Sequence, residues 1–248
     1  MDDPSREHSP SSRQGRFLTT SWSMVLRAVE ADSVDARMAL ESLCREYWYP
    51  LYAFVRQKGF KPEVAEDLTQ AFFAFLFEKN SLAKADQSRG RFRTFLLHCL
   101  TNFLNNQWRE AQAQKRGGNL QIFALDFEHG ESRYQGEPYH DLTPERIFDR
   151  SWAITLLGNV FDDLRQYYTE RSQGELFQAL KPHLIGEGPT SYHELANGLN
   201  MSEGALRVAV HRMRDRCKDV LRKRILETVD SSAEIDDEIR DLFNTLTS

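Results

Sequence analysis

The strongest charge contrast in this sequence of 248 residues lies near its C-terminus. Between Arg207 and Arg224, eight lysines and arginines stand against two aspartates, which gives a net charge of +6. Residues 225–248 carry seven acids against Arg240 alone, a net charge of −6. Arginine and lysine side chains donate hydrogen bonds to phosphate and to guanine. Because local charge governs binding to a polyanion, the basic segment predicts a nucleic-acid contact despite the overall charge of −5.

A second group of donors lies between residues 89 and 116, where the sequence has helical periodicity. The inner face of this helix consists of Phe92, Leu96, Cys99, Leu100, Phe103 and Gln107. The outer face presents Arg91, Thr94, His98, Thr101, Asn102, Asn105, Trp108 and Arg109, and Arg89, Arg93, Lys115 and Arg116 add charge at the two ends. Cations follow a nucleic-acid backbone, amides bond base edges and rings stack on unpaired bases, so this face suits single-stranded DNA. Half-buried packing is the alternative for Trp108.

A third feature is a helix predicted from Pro62 to about Lys79, which has apolar residues on two sides. One stripe consists of Ala65, Leu68, Ala71, Phe72, Phe75 and Leu76. Phe73 and Phe77 lie roughly opposite this stripe, beside Glu66 and Gln70. Large aromatic side chains are unfavourable in water, so these two either dock a protein partner or pack against another helix of the same bundle.

The elements that position the basic segment have the spacing of a helix-turn-helix. Ser191 and Glu194 form a capping-box pattern before a short helix that ends near Gly198. Leu199-Asn200-Met201 is the predicted turn, and Ser202 caps a helix that runs to about Leu226.

That last helix has an apolar back, formed by Leu206, Ala209, Val210, Met213, Cys217, Val220 and Leu221. Its outward residues are Arg207, Val208, His211, Arg212 and Lys218. A helix in the major groove needs this arrangement of apolar back and polar N-terminal front. A basic amphipathic helix alone is more often a solvated surface helix, but the preceding caps and turn favour DNA binding.

Helical periodicity extends along nearly the whole chain without a convincing alternating strand, so we predict an all-α fold. Further helices are predicted from Pro50 to Gly59, from Phe92 to about Gln114, from Pro144 to about Arg171 and from Gly174 to about Leu184. We expect two helical domains, at 21–116 and 143–226, with a disordered N-terminus (1–20), a linker (117–142) and an acidic C-terminal tail (227–248).

Three segments resemble those of a known family. YPLYAFVRQKGFKPEVAEDLTQAFFAFLFE (49–78) and GRFRTFLLHCLTNFLNNQWREAQAQKR (90–116) resemble the promoter-melting domain of extracytoplasmic-function (ECF) sigma factors of RNA polymerase. SYHELANGLNMSEGALRVAVHRMRDR (191–216) is similar to their −35-binding helix-turn-helix domain. The resemblance covers about residues 21–224, and the sequence around TSWSMVL, GRFRTFL and DRSWA is similar to a subgroup from planctomycete-like bacteria.

The resemblance implies a region-2-like bundle, a region-4-like domain and three sets of contact residues. Those for core RNA polymerase are Glu66, Asp67, Gln70 and Phe73. Those for recognition and melting of the promoter −10 element are Arg91, Arg93, Thr94, Phe95, Asn102, Trp108 and Arg109. Those for the −35 element are Ser202, Glu203, Ala205, Arg207, Val208, His211 and Arg212. An anti-sigma factor is a further candidate partner.

The long linker and the acidic tail depart from the minimal pattern of this family. We hypothesise that the tail shields the basic helix until core polymerase binds; a solvated helix that caps the domain is the alternative. A stand-alone helix-turn-helix regulator, with an N-terminal half that senses a ligand or dimerises through Phe73 and Phe77, is the alternative function.

We expect a non-catalytic cytoplasmic protein without metal, cofactor, small-molecule substrate or membrane contact. The sequence has no apolar run of membrane-spanning length, and its polar N-terminus lacks the apolar stretch of a secretory signal. Three widely spaced cysteines fit a reducing compartment. An all-helical enzyme is disfavoured because no acid–base cluster, metal-ligand spacing or nucleophile motif is evident.

Overall fold

The computed structural model describes residues 34–78, 91–111, 125–137, 142–184, 190–226 and 235–247. Within these ranges the chain forms helices and turns without a strand, as predicted. The helices are α1 (Val34–Gln57), α2 (Pro62–Glu78), α3 (Phe92–Ala111), α4 (Phe127–Gly136), α5 (Pro144–Thr169), α6 (Gly174–Leu180), a 3-10 turn (Lys181–His183), α7 (Tyr192–Gly198), α8 (Glu203–Leu226) and α9 (Ile235–Thr247). The predicted disordered N-terminus (1–20) and Gly90, Gly117 and Gly118 lie outside the described residues.

The core is built around α1 and α5, which share the most extensive contact among the described helices. Leu51 and Phe54 on α1 and Phe148 and Leu164 on α5 are fully buried. Helix α2 packs on α1, while α8 and α9 pack on α5. One cluster of buried apolar side chains therefore includes residues from both predicted domains, and the division into two domains stays a prediction.

Helix α1 is continuous from Val34 to Gln57, so the prediction that Pro50 begins a helix is wrong. A proline inside a helix lacks the N–H that would bond to the preceding turn. Pro50 and both of its neighbours, Tyr49 and Leu51, are buried, which indicates that packing overrides this local preference. Gly59, with a φ of +92°, follows the end of α1 as predicted.

The predicted linker contains α4. The Asp126 carboxylate accepts a hydrogen bond from the backbone N–H of His129 at 3.1 Å and caps this helix. The buried ring of Phe127 meets the rings of Trp48 and Tyr52 edge-on, each at a centroid distance of 5.5 Å. Because single aromatic and polar contacts anchor α4, rather than an apolar stripe, the sequence periodicity did not predict it.

The predicted acidic tail contains α9, a helix of 13 residues that packs against α5 and α8. Ile235 and Leu242 are buried, and Ile239 and Leu246 are partly buried on the same face. Residues 235–247 therefore belong to the folded core, and the expectation of a tail outside the domain is corrected for this part.

Candidate nucleic-acid interface

The predicted capping box, turn and second cap are all present around α7 and α8. The Ser191 hydroxyl accepts a hydrogen bond from the Glu194 N–H at 3.2 Å, and the Glu194 carboxylate accepts one from the Ser191 N–H at 3.2 Å. The bonds from Ser191 lower the pKa of Glu194 because the ionised carboxylate is the better acceptor. Asn200 in the turn has a φ of +52°, and the Ser202 hydroxyl accepts from the Ala205 N–H at 3.2 Å.

Helix α8 has the buried back and exposed front that the sequence predicts. Leu206, Val210 and Met213 are buried. The seven residues predicted to contact the −35 element are all exposed: Ser202, Glu203, Ala205, Arg207, Val208, His211 and Arg212. A Cβ atom at Gly204 would meet no other atom within 4 Å. The first turns of α8 are therefore open to a closely approaching partner.

Three arginines from the middle and end of α8 bind groups of the protein itself. Arg214 donates to the carbonyl of His183 at 2.7 and 3.1 Å. Arg216 donates to the hydroxyl of Tyr167 at 3.0 Å. Arg224 lies 2.7 Å from the Asp163 carboxylate. The +6 of the sequence therefore overstates the charge available to a ligand, because these arginines hold α8 against α5 and the 3-10 turn.

Acidic side chains lie beside the exposed front of the helix-turn-helix. The Nδ1 atom of His193 is 2.9 Å from Glu203, and the Nδ1 atom of His211 is 2.8 Å from Asp215. The guanidinium of Arg207 lies over the ring of Tyr192, 4.9 Å from its centroid. A ligand on this face must compete with carboxylates, which disfavours indiscriminate phosphate binding and favours partners that supply specific donors and acceptors.

The predicted single-strand surface on α3 is partly exposed. Thr94, His98 and Asn102 are exposed, and the Asn102 amide nitrogen lies 3.0 Å from the Nε2 atom of His98. Phe95 is half-buried and stacks on Phe92 at 5.9 Å. Helix α3 includes positions 108 and 109, but the predicted roles of Trp108 and Arg109 depend on side chains outside the described part.

A cavity of about 310 Å³ opens beside this surface, between the end of α1 and α3. Its lining consists of Phe54, Lys58, Phe60, Thr101, Leu104 and Asn105. Its walls come from the end of α1, the turn that follows it and α3, which are separated in the chain, so no local sequence pattern indicates this cavity. Apolar walls with an amide and an ammonium group at the rim suit a flat, polar-edged ring.

Arg93 is buried, so the prediction that it presents its charge to DNA is wrong for this arrangement. Its guanidinium lies 4.3 Å from the ring centroid of Trp152, its Nε atom is 3.4 Å from Asp149, and it forms an ion pair with Glu238. Burial lowers the pKa of Arg93, with a further contribution from Arg91, and burial raises the pKa of Asp149. Helical periodicity places Arg93 at the start of α3, but it carries no information on α5 and α9, which cover this side chain.

Two acids of α9 also bind Arg91. The Nε atom of Arg91 is 2.8 Å from Glu238, and its Nη2 atom is 2.8 Å from Asp241. The Glu238 side chain is fully buried. Neither acid was predicted as a site residue, because the segregated charge indicated a contact of the tail with α8 rather than with α3. Beside its packing on α8, helix α9 is joined to that helix by the ion pair of Asp236 with Arg222, at 2.7 Å.

On α2, Asp67 is exposed and Glu66 and Gln70 are partly exposed, as a contact surface for a partner requires. The Gln70 amide donates to the Glu66 carboxylate at 3.5 Å. Partial burial raises the pKa of Glu66, and the negative charges of Asp67 and Glu63 add to the effect.

Phe73, the fourth residue predicted for this contact, is buried. Its ring lies 6.1 Å from that of Phe72 and 5.9 Å from that of Phe77, which is itself half-buried. The expectation that Phe73 faces a partner is therefore corrected, because packing within the protein covers its side chain.

Comparison with known proteins finds no match to the chain among protein-family models, curated proteins or solved structures. Among the described residues, no group of three or more histidines, cysteines, aspartates and glutamates is placed to hold a metal ion. The described helices include none with the length and apolar composition needed to cross a membrane.

Proposed function

We propose that this protein is a sigma factor of the ECF type, which binds core RNA polymerase and directs it to promoters. The observation that carries the proposal is the geometry of α7 and α8. A capped short helix and a tight turn precede a long helix whose polar front is exposed over its first three turns. This geometry suits insertion of α8 into the major groove of the −35 element.

The surface of α3 supports a second role in opening the −10 element. The exposed Asn102 amide can bond base edges, and the cavity beside Phe60 and Asn105 offers a partly exposed ring for an unstacked base. Unpairing costs a few kcal/mol per step, which base capture offsets. In this proposal the polymerase synthesises the RNA, so no residue of this chain is catalytic. A protein with this function acts in the cytoplasm.

Reconstitution with bacterial core RNA polymerase tests the proposal. The chain is expected to co-purify with core polymerase and to start RNA at defined positions in a library of genomic promoters. Asp67→Ala is expected to weaken binding to polymerase, whereas Glu63→Ala, an exposed acid on the same helix outside the predicted set, serves as its matched control. Arg207→Ala/Arg212→Ala is expected to reduce initiation about tenfold or more, with Arg165→Ala on the exposed surface of α5 as the control.

Absence of both co-purification and defined initiation would contradict the proposal. The alternative, a stand-alone regulator, predicts sequence-specific duplex binding without any effect of core polymerase. The structure gives little support to a dimer surface at Phe73 and Phe77, because Phe73 is buried and Phe77 is half-buried.

A further inference from the structure

The acidic helix α9 binds the cations that begin α3. Glu238 contacts both Arg91 and Arg93, and Asp241 contacts Arg91. These arginines are the first two residues of the predicted −10 surface. The acids and arginines are separated by 145 to 150 positions in the chain, so the contact depends on the tertiary fold.

Carboxylates and phosphates compete for the same donors of a guanidinium group. Both accept paired N–H bonds in the same planar geometry. An arginine that is bound to Glu238 therefore does not offer those donors to a DNA backbone. Asp149 on α5 is a third carboxylate at Arg93, and the polar groove beside these arginines is lined further by Arg146, Asn244 and Thr245.

Helix α9 is held by apolar and backbone contacts on one hand and by ion pairs on the other. Ile235 and Leu242 supply buried apolar area, and the Arg150 guanidinium donates to the carbonyl of Leu246 at 3.0 Å. Glu238 is different, because a fully buried carboxylate is unfavourable unless a cation stays beside it. An apolar residue at position 238 would hold the helix without that condition, so docking of α9 depends on Arg91 and Arg93 being unoccupied.

We propose that α9 is an autoinhibitory helix, which occupies Arg91 and Arg93 in the free protein and must leave α3 before these arginines bind promoter DNA. This inference rests on the proposed function, since it names how the −10 surface is regulated. The target differs from the one that charge alone suggested: the acids cover α3 rather than the recognition front of α8.

Two pairs of substitutions in the full chain test the inference. Glu238→Gln/Asp241→Asn removes the two charges that face Arg91 and Arg93. Asp236→Asn/Asp237→Asn removes two charges from the same helix whose partners are Arg222 and Arg240. The readout is the affinity of each free protein for a fluorescent single-stranded oligonucleotide at fixed salt, with hydrogen exchange of the α9 amides measured in parallel.

The first variant is expected to bind the oligonucleotide about tenfold more tightly than wild type, since Arg91 loses both of its carboxylate partners and gains phosphate contacts, while Arg93 keeps only Asp149. The control variant is expected to stay within about threefold, because it removes two exposed ion pairs of α9 but leaves both carboxylates at Arg91 in place. Adding Arg91→Ala to the first variant is expected to cancel the gain. Equal gains in the two variants, or no gain in the first, overturn the inference.

A second pair of substitutions, at exposed positions of α9, tests the inference if the change at the buried Glu238 disturbs folding. Asp241→Lys reverses a half-exposed charge beside Arg91, and Asp237→Lys makes the same change on an exposed part of the helix. Tighter oligonucleotide binding and faster α9 exchange are expected for Asp241→Lys alone. The sigma-factor proposal is tested separately, with wild-type protein and core polymerase. If wild type initiates normally but the two lysine variants bind the oligonucleotide equally, only autoinhibition is rejected.

Discussion

Glu131 shows how a single carboxylate fixes a segment that lacks an apolar stripe. It accepts hydrogen bonds from the Nε and Nη2 atoms of Arg56 at 2.8 and 2.9 Å and from the Tyr52 hydroxyl at 2.5 Å. The bonds from Arg56 lower the pKa of Glu131 to about 2, although partial burial acts in the opposite direction. Burial, together with the bond to Glu131, raises the pKa of Tyr52, so its hydroxyl stays a donor. The residue therefore holds α4 against α1 as an anion.

Glu131→Gln is expected to destabilise the fold in a pH-dependent way. The folded pKa of about 2 lies below the usual 4.5, so the ionic stabilisation is complete at neutral pH and is lost as the pH falls from about 4.5 towards 2. Urea denaturation at pH 7 is expected to show a loss of roughly 2 kcal/mol, which shrinks near pH 3. Glu41→Gln, in an exposed pair with Arg45, is the control. A loss independent of pH would contradict the assignment.

At the scale of elements, α4 depends on a close approach of backbone to an aromatic ring. A Cβ atom at Gly130 would lie 2.7 Å from the side chain of Trp48, closer than two such atoms can approach. Glycine at this position lets α4 lie flat on α1, so that Phe127 and Glu131 reach their partners. Helix α4 therefore needs a residue without a side chain in its middle, at some loss of intrinsic helix propensity.

Gly130→Ala is accordingly expected to lower the free energy of unfolding by about 1–3 kcal/mol, since Trp48 or the whole of α4 must shift. Gly136→Ala, in the last turn of the same helix, would meet no atom within 4 Å and is expected to be neutral or slightly stabilising. Thermal unfolding followed by circular dichroism measures both. Equal stability of the two variants would show that α4 is not docked on Trp48.

At the scale of the whole molecule, helices from both predicted domains share one buried core. Helix α5, which begins the predicted C-terminal domain, packs along α1 of the N-terminal one, and α9 bridges towards α3 through Arg91. Arg224 of α8 also lies within 4.0 Å of Glu46 on α1. In this arrangement the predicted −10 and −35 surfaces are held by the same packing, so release of α9 is expected to affect both.

A shared core predicts a single cooperative unfolding transition. Leu164→Ala, at a fully buried position of α5, is expected to lower the free energy of unfolding by about 2–5 kcal/mol and to shift the whole transition. Leu226→Ala, at a half-exposed position near the end of α8, is expected to have little effect. Calorimetry distinguishes the outcomes, since two separate transitions, of which Leu164→Ala moves only one, would indicate independent domains.

The sequence alone determined the features that depend on neighbours along the chain. Caps at Ser191 and Ser202, the turn at Asn200 and the apolar spacing of α8 follow from local hydrogen bonds and helical periodicity, and the structure confirms them. The start of α5 at Thr143-Pro144 was predicted on the same basis.

Only the tertiary structure decided which of these surfaces are covered. Periodicity assigns a residue to a face, but whether that face meets water depends on helices elsewhere in the chain. This is why Phe73 and Arg93 are buried against expectation, why packing keeps Pro50 inside α1, and why α9 is part of the fold. The contact of Arg91 with Asp241 spans 150 positions, and no local pattern specifies a partner at that distance, because the two side chains meet only after packing of the core brings α3 and α9 together.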